Sequence, residues 1–139
     1  MFQNILVAYD GSEHSHKAAH IAGDLARMQS ETDLWLVCVL DQIPSELGHP
    51  YVDHIITERK QKGEELLLKA RDLIGENVTI HDELLFGSPA ESILDISRSL
   101  NIDLIIIGTR GLSGLRGLLL GSQINKVISL SECPVLAVK

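Results

Sequence analysis

The sequence predicts an α/β fold, an open parallel sheet with helices on both faces. Three observations predict it. Short apolar runs recur five times along the 139 residues. The stretches between them carry apolar residues at helical spacing. The first run, ILVAY, lacks the clean apolar–polar alternation of a half-exposed strand and suits one covered on both faces. Strands that alternate with helices in this way form parallel sheets.

The first strand spans Ile5 to Tyr9 and stops at the turn signal Asp10-Gly11-Ser12. A helix follows from about His14 to Arg27, its apolar stripe made by Ala18, Ala19, Ile21, Ala22, Leu25 and Ala26. Ser12 reads as its N-cap; no G-x-S-x-G elbow surrounds it, so it is not read as a nucleophile. LWLVCVL, Leu34 to Leu40, is a second buried strand. Residues 41–52, with Pro44, Gly48 and Pro50, read as a loop. A long helix covers Asp53 to Ile74, with Leu66, Leu67, Ala70, Leu73 and Ile74 inward and the charges of Glu58, Arg59, Lys60, Lys62, Glu64 and Glu65 on a solvated face.

Val78 to Leu85 alternates roughly and suits a strand near an edge. Gly87-Ser88-Pro89 turns the chain; Ser88, with Glu91 three residues on, predicts a capping box at the start of a helix reaching Leu100. Asp103 to Ile107 is a fourth strand, then a glycine-rich stretch over 108–122, a helix to Leu130 and a last short strand from Pro134 to Val138. No internal repeat or linker interrupts the pattern, so residues 1–139 are read as one domain.

Composition narrows the function. A net charge of −7 gives a field that repels nucleic acid and anionic membrane. Cys38 and Cys133 sit in apolar surroundings without zinc or CxxC spacing and read as reduced, buried thiols. The N-terminus lacks a signal-peptide pattern, and the apolar runs are too short to span a bilayer. Both point to the cytoplasm, with no membrane insertion.

The chemistry concentrates after the fourth strand. Ligands of open parallel sheets bind at the carboxyl ends of strands where the winding reverses. Asp10 and Gly108 mark two such ends. After Gly108 come Gly111, Gly114, Gly117 and Gly121, and Ser122 opens a helix. Glycines let main-chain amides approach a phosphate, and a helix start adds unpaired N–H donors and a partial positive charge. Arg110, Arg116 and Lys126 lie near enough in sequence to offset the negative field, and Arg110 is either a phosphate contact or a solvated loop charge. A polyphosphate cradle fits this pattern; so does a glycine-rich surface loop capping a strand. It is not a P-loop, since no lysine precedes Ser122, and the turn after the first strand holds only Gly11, not a dinucleotide fingerprint. Asp10 is either a ligand contact or a turn residue at a helix entry. His14, His16 and His20 lack an HExxH frame and are expected to face solvent. No metal site and no catalytic group is assigned.

Four separated segments resemble the universal stress protein family, in the family's order. The spacing Gly108, two residues, Gly111, nine residues, Gly121-Ser122 is similar to its nucleotide-binding signature. ILVAYDGSEHSHKAAHIAGDLA resembles its first strand and helix, GSPAESIL its third helix start and CPVLAVK its closing strand. The resemblance implies a Rossmann-like sheet of the adenine nucleotide alpha hydrolase type, in strand order 3-2-1-4-5. It implies a homodimer through strand 134–138, against the alternative of an edge shielded by its own helix.

The intact signature implies the ATP-binding branch of the family. By that resemblance Ala8 and Asp10 would meet the ribose or base region and Val39 the adenine through its backbone. Ile107 and Gly108 would flank the ribose, and Gly111, Gly121, Ser122 and Gln123 would hold the phosphates. Gln123 stands where a small or β-branched residue is more usual, and Cys38 replaces a commoner histidine. The ligand implied is ATP, or AMP or another adenine nucleotide, with or without Mg or Mn. The role implied is that of a regulatory stress-response module with an unknown protein partner. A slow ATPase and a nucleotide-free, chaperone-like dimer are the alternatives; the nearest candidate base, Asp10, would by the resemblance sit at the ribose end, away from a γ-phosphate.

Overall fold

A computed structural model describes residues 1–44, 46, 48–110 and 121–139. The elements run β1 (Asn4–Ala8), α1 (Glu13–Arg27), β2 (Asp33–Leu40), α2 (Tyr51–Ile74), β3 (Thr79–Phe86), α3 (Pro89–Ser99), β4 (Leu104–Gly108), α4 (Ser122–Leu130) and β5 (Val135–Val138). All strands are parallel, in the order β3-β2-β1-β4-β5. This is the order the resemblance implied, and β3 lies at an edge as its alternation suggested.

The central strands explain the unbroken apolar runs. Leu6 faces Trp35 of β2 and Ile105 of β4, and every residue of β4 is buried. Each face of the sheet has its own apolar cluster. Ile5, Val7, Leu34, Leu36 and Ile106 pack under Ala18, Ala19 and Ala22 of α1 and Ala70 and Ile74 of α2. Leu6, Ala8, Val37, Ile105 and Ile107 pack under Ala90 and Ile93 of α3 and Ile124 and Val127 of α4.

Two local expectations fail, the second of them for a tertiary reason. Helix α2 begins at Tyr51, two residues before the predicted start. The predicted capping box of α3 does not form: Ser88 is the N-cap but its side chain makes no cap bond. Gln123 Oε1, from α4, accepts the Ala90 N–H at 2.9 Å instead, and Glu91 pairs with Lys126 at 3.2 Å. Cys38 is buried as expected, whereas Cys133 is only partly so; both are free thiols. Among the described residues, no helix is long and apolar enough to cross a membrane.

Candidate functional site

The winding reverses between β1 and β4. The chain steps from β1 to β2 on one side, and from β4 to β5 on the other. The β1–β4 ladder ends at the pair Ala8 and Ile107, and beyond it the two chains part. Such a crevice at the carboxyl edge is where an open α/β sheet receives a ligand.

Its floor is apolar. Ala8 and Ile107 are buried and Val39 partly so; all three belong to the cluster beneath α3 and α4, with Ile124 from the first turn of α4. The main chain of Val39 is a separate feature. The last bond between β1 and β2 runs from the Tyr9 N–H to the Val37 carbonyl, while Leu40 accepts from Gly87 on the β3 side. Backbone groups alternate sides along a strand. The Val39 N–H and carbonyl therefore face the β1 side, one step past the point where β1 turns away, and can offer a donor and an acceptor to a planar base.

The helix starts on this edge differ in chemistry. At α1 the Ser12 hydroxyl accepts the Ser15 N–H at 3.2 Å, and Asp10 Oδ1 accepts the Ser12 N–H at 2.9 Å. Asp10 thus holds the turn, so the turn-residue reading is satisfied whatever else it touches. At α3, Gln123 supplies the acceptor. At α4 the N-cap is Gly121, which has no side chain to accept from the first turn. The N–H groups of Ser122 and Gln123 are first-turn donors that a helix cannot satisfy itself. An anion placed there gains those donors and the positive end of the helix dipole.

Gly108 has a packing reason of its own. A Cβ at this position would lie 2.7 Å from the His14 carbonyl carbon and 2.8 Å from the Ser15 nitrogen. Helix α1 is seated directly on the end of β4. The His14 ring completes that seat: its Nδ1 lies 2.8 Å from the Thr109 hydroxyl. His16 stacks on Tyr9 at 5.6 Å, and His20 alone of the three is exposed. The expectation of three solvent-facing histidines is corrected for His14 and His16, whose partners are 95 and seven residues away and invisible to helical spacing.

Arg110 is exposed just past β4, while Lys126 pairs with Glu91 at 3.2 Å. Gly111, with Gly114, Arg116 and Gly117, lies outside the described residues. Burial, with smaller effects from Asp10 and Asp82, pushes the Cys38 thiol up to about 12, so next to Val39 it is a neutral apolar group. Among the described residues no three His, Cys, Asp or Glu side chains gather as metal ligands.

A model of the universal stress protein family matches residues 1–139. A universal stress protein of Thermus aquaticus is 39% identical over 140 residues, covering 100% of both chains. The chain belongs to the universal stress protein family. Its fold also matches solved relatives. A universal stress protein in complex with cAMP is 25% identical, with a TM-score of 0.78 over 99% of this chain and 97% of that one. A universal stress protein of Archaeoglobus fulgidus in complex with dAMP is 22% identical, with a TM-score of 0.71 over 99% of this chain and 98% of that one, a likeness of fold. In this universal stress protein Gly108 ends β4, and Gly121 and Ser122 open α4, the described ends of the glycine signature.

Proposed function

We propose that this universal stress protein is a regulatory module that binds an adenine nucleotide, ATP foremost, in the crevice between β1 and β4. The observation that carries the reading is the start of α4. A glycine N-cap leaves the Ser122 and Gln123 amides without a side-chain acceptor among the described residues, at the edge where the winding reverses. The phosphates rest on those amides and on the glycine signature that begins at Gly108 and includes Gly111. The base lies toward Ala8, Val39 and Ile107, where the floor is apolar and the Val39 main chain is open. The relative solved with cAMP supports an adenine ligand.

The reading is one of binding rather than turnover. Asp10 is held by the Ser12 amide at the β1 end of the crevice, and Glu91, at the start of α3, is paired with Lys126. Hydrolysis needs an oriented water and a group to position it. Isothermal titration with ATP, AMP and adenosine, with and without Mg or Mn, tests the reading. Saturable heat for ATP, weakened on removing phosphates, is expected; no heat at high protein concentration ends it.

The acting form is a homodimer that pairs its β5 edges. The two edges of the sheet are unlike. Edge strand β3 carries His81 and the charged Asp82 and Glu83, polar side chains that discourage pairing. Edge strand β5 reads VLAV, with Leu136 38% exposed, and Ile128 and Leu130 of α4 are exposed at 42% and 55%. Leu136→Arg is expected to convert a dimer to a monomer in light scattering. A wild-type chain that is monomeric at high concentration removes the dimer.

A further inference from the structure

Gln123 has two engagements that point in different directions. Its main-chain N–H is the second donor of α4, in the turn to which the proposed function assigns the phosphates. Its side chain reaches across to α3. There Oε1 accepts the Ala90 N–H at 2.9 Å and lies 3.4 Å from the Ser88 hydroxyl. Ala90 is the second helical residue of α3, the position whose N–H a helix's own N-cap side chain ordinarily takes. Ser88 makes no such bond, so α3 borrows its cap from α4. A second tie runs alongside it, Lys126 Nζ to Glu91 Oε1 at 3.2 Å. That pair is exposed and contributes little by itself. The Gln123 bond is the stronger candidate for transmitting a change, because it satisfies a helix-terminal donor that has no other described acceptor.

We propose that Gln123 couples the nucleotide site to the first turn of α3, so that a ligand phosphate at α4 tightens the cap at Ala90. The inference rests on the nucleotide reading above and names a consequence of it. The physical link is short. Anchoring the first turn of α4 on an anion damps its fraying, and with it the motion of the Gln123 side chain that this turn carries. The entropy of holding Oε1 on Ala90 is then already spent when the ligand is bound. By linkage, the cap favours the ligand by the same factor. The surface that changes is the turn Gly87-Ser88-Pro89 and the start of α3. This gives the nucleotide an output on a face separate from β5.

Amide hydrogen exchange at Ala90, read by NMR with and without ATP, tests the coupling. In the wild type, saturating ATP slows exchange at Ala90 severalfold. Gln123→Met keeps the side-chain length and removes the acceptor. It is expected to speed Ala90 exchange in the ligand-free protein about fivefold, the size of a lost helix cap. The ATP effect on Ala90 then disappears, while ATP still binds with a few-fold weaker Kd. Gln123→Glu keeps an acceptor; Ala90 stays protected while ATP weakens, because a carboxylate now lies beside the phosphates. The ATP effect on Ala90, present in the wild type and lost in Gln123→Met while ATP still binds, separates coupling from a merely structural cap. ATP heat from the wild type with no change at Ala90 overturns the coupling and leaves the nucleotide reading standing. So does an ATP effect that survives in Gln123→Met. Absence of ATP heat from the wild type removes both, and Ala90 exchange in Gln123→Met then reports a cap alone.

Discussion

Replacing Gly121 with aspartate is expected to make the protein more stable and to abolish tight ATP binding. The two effects have one origin. Gly121 is the N-cap of α4 with φ −60° and ψ 157°, close to the φ −72° and ψ 159° of Ser12, the side-chain cap of α1. Its backbone therefore already has the conformation that an Asp, Asn or Ser cap adopts, and no left-handed strain stands in the way. An aspartate there accepts a first-turn N–H and lies at the positive end of the helix dipole. The cap and the dipole together are worth about 0.5–1 kcal/mol, or roughly 3 °C in Tm for a chain of this size.

The same carboxylate fills the anion position. A ligand phosphate then loses a donor and meets a negative charge at short range. Two unit charges about 4 Å apart at an effective dielectric near 20 repel by roughly 4 kcal/mol before screening. A loss of at least about 100-fold in ATP affinity is expected, equivalent to ~2.7 kcal/mol. Gly121→Asn separates the causes, since it caps α4 without charge and is expected to weaken ATP much less. Adenosine, with no phosphate, is the internal control. ATP binding that survives in Gly121→Asp would show that the phosphates do not meet α4. A fall in Tm would show that Gly121 is not the cap.

How much of this was legible beforehand depends on the range of the interaction. The strands and helices could be read because their causes are local. Apolar runs such as LIIIG are buried on both faces, and the alanine stripe of α1 recurs at the helical period and packs as one face. The order 3-2-1-4-5 is not local. Periodicity says that a strand is buried but not which strand lies beside it, so the order came with the family resemblance. The α3 cap shows the limit most plainly. Ser88 and Glu91 have the spacing of a capping box, and yet Gln123 and Lys126 from α4 take their places. Local pattern proposed the box, and side chains 35 residues away displaced it. Gly63 is a related case. Gly63 lies inside α2, and a Cβ there would lie 2.5 Å from Leu84 Cδ1, so its cause is the close approach of α2 to β3 rather than anything local.

Gly108 teaches the same lesson at the site itself, and Gly108→Ala is expected to be among the most destabilising single-methyl changes available. The signature assigns Gly108 to the nucleotide loop, where glycine suits a close phosphate. The packing gives it a stricter reason. Its φ is not in the left-handed region that favours glycine, so the cost of alanine is one of space. The atoms in the way are the His14 carbonyl carbon at 2.7 Å, the Ser15 nitrogen at 2.8 Å and His14 Cβ at 2.9 Å. Two of the three are main chain, so no rotamer change relieves the overlap. Helix α1 must lift, and with it go Ala18, Ala19 and Ala22, each fully buried against the sheet. The bond from His14 to Thr109 and the turn held by Asp10 move with that first turn. Overpacking of this kind costs about 3 kcal/mol, which lowers the urea midpoint by roughly 1.5 M if m is unchanged. Gly48→Ala is the contrast. Gly48 has φ +64° and nothing within 4 Å of its Cβ position, so alanine there meets backbone strain alone, about 1 kcal/mol. If Gly108→Ala unfolds at the urea concentration of Gly48→Ala, α1 is not seated on β4, and the carboxyl edge that frames the crevice is built differently from the one described.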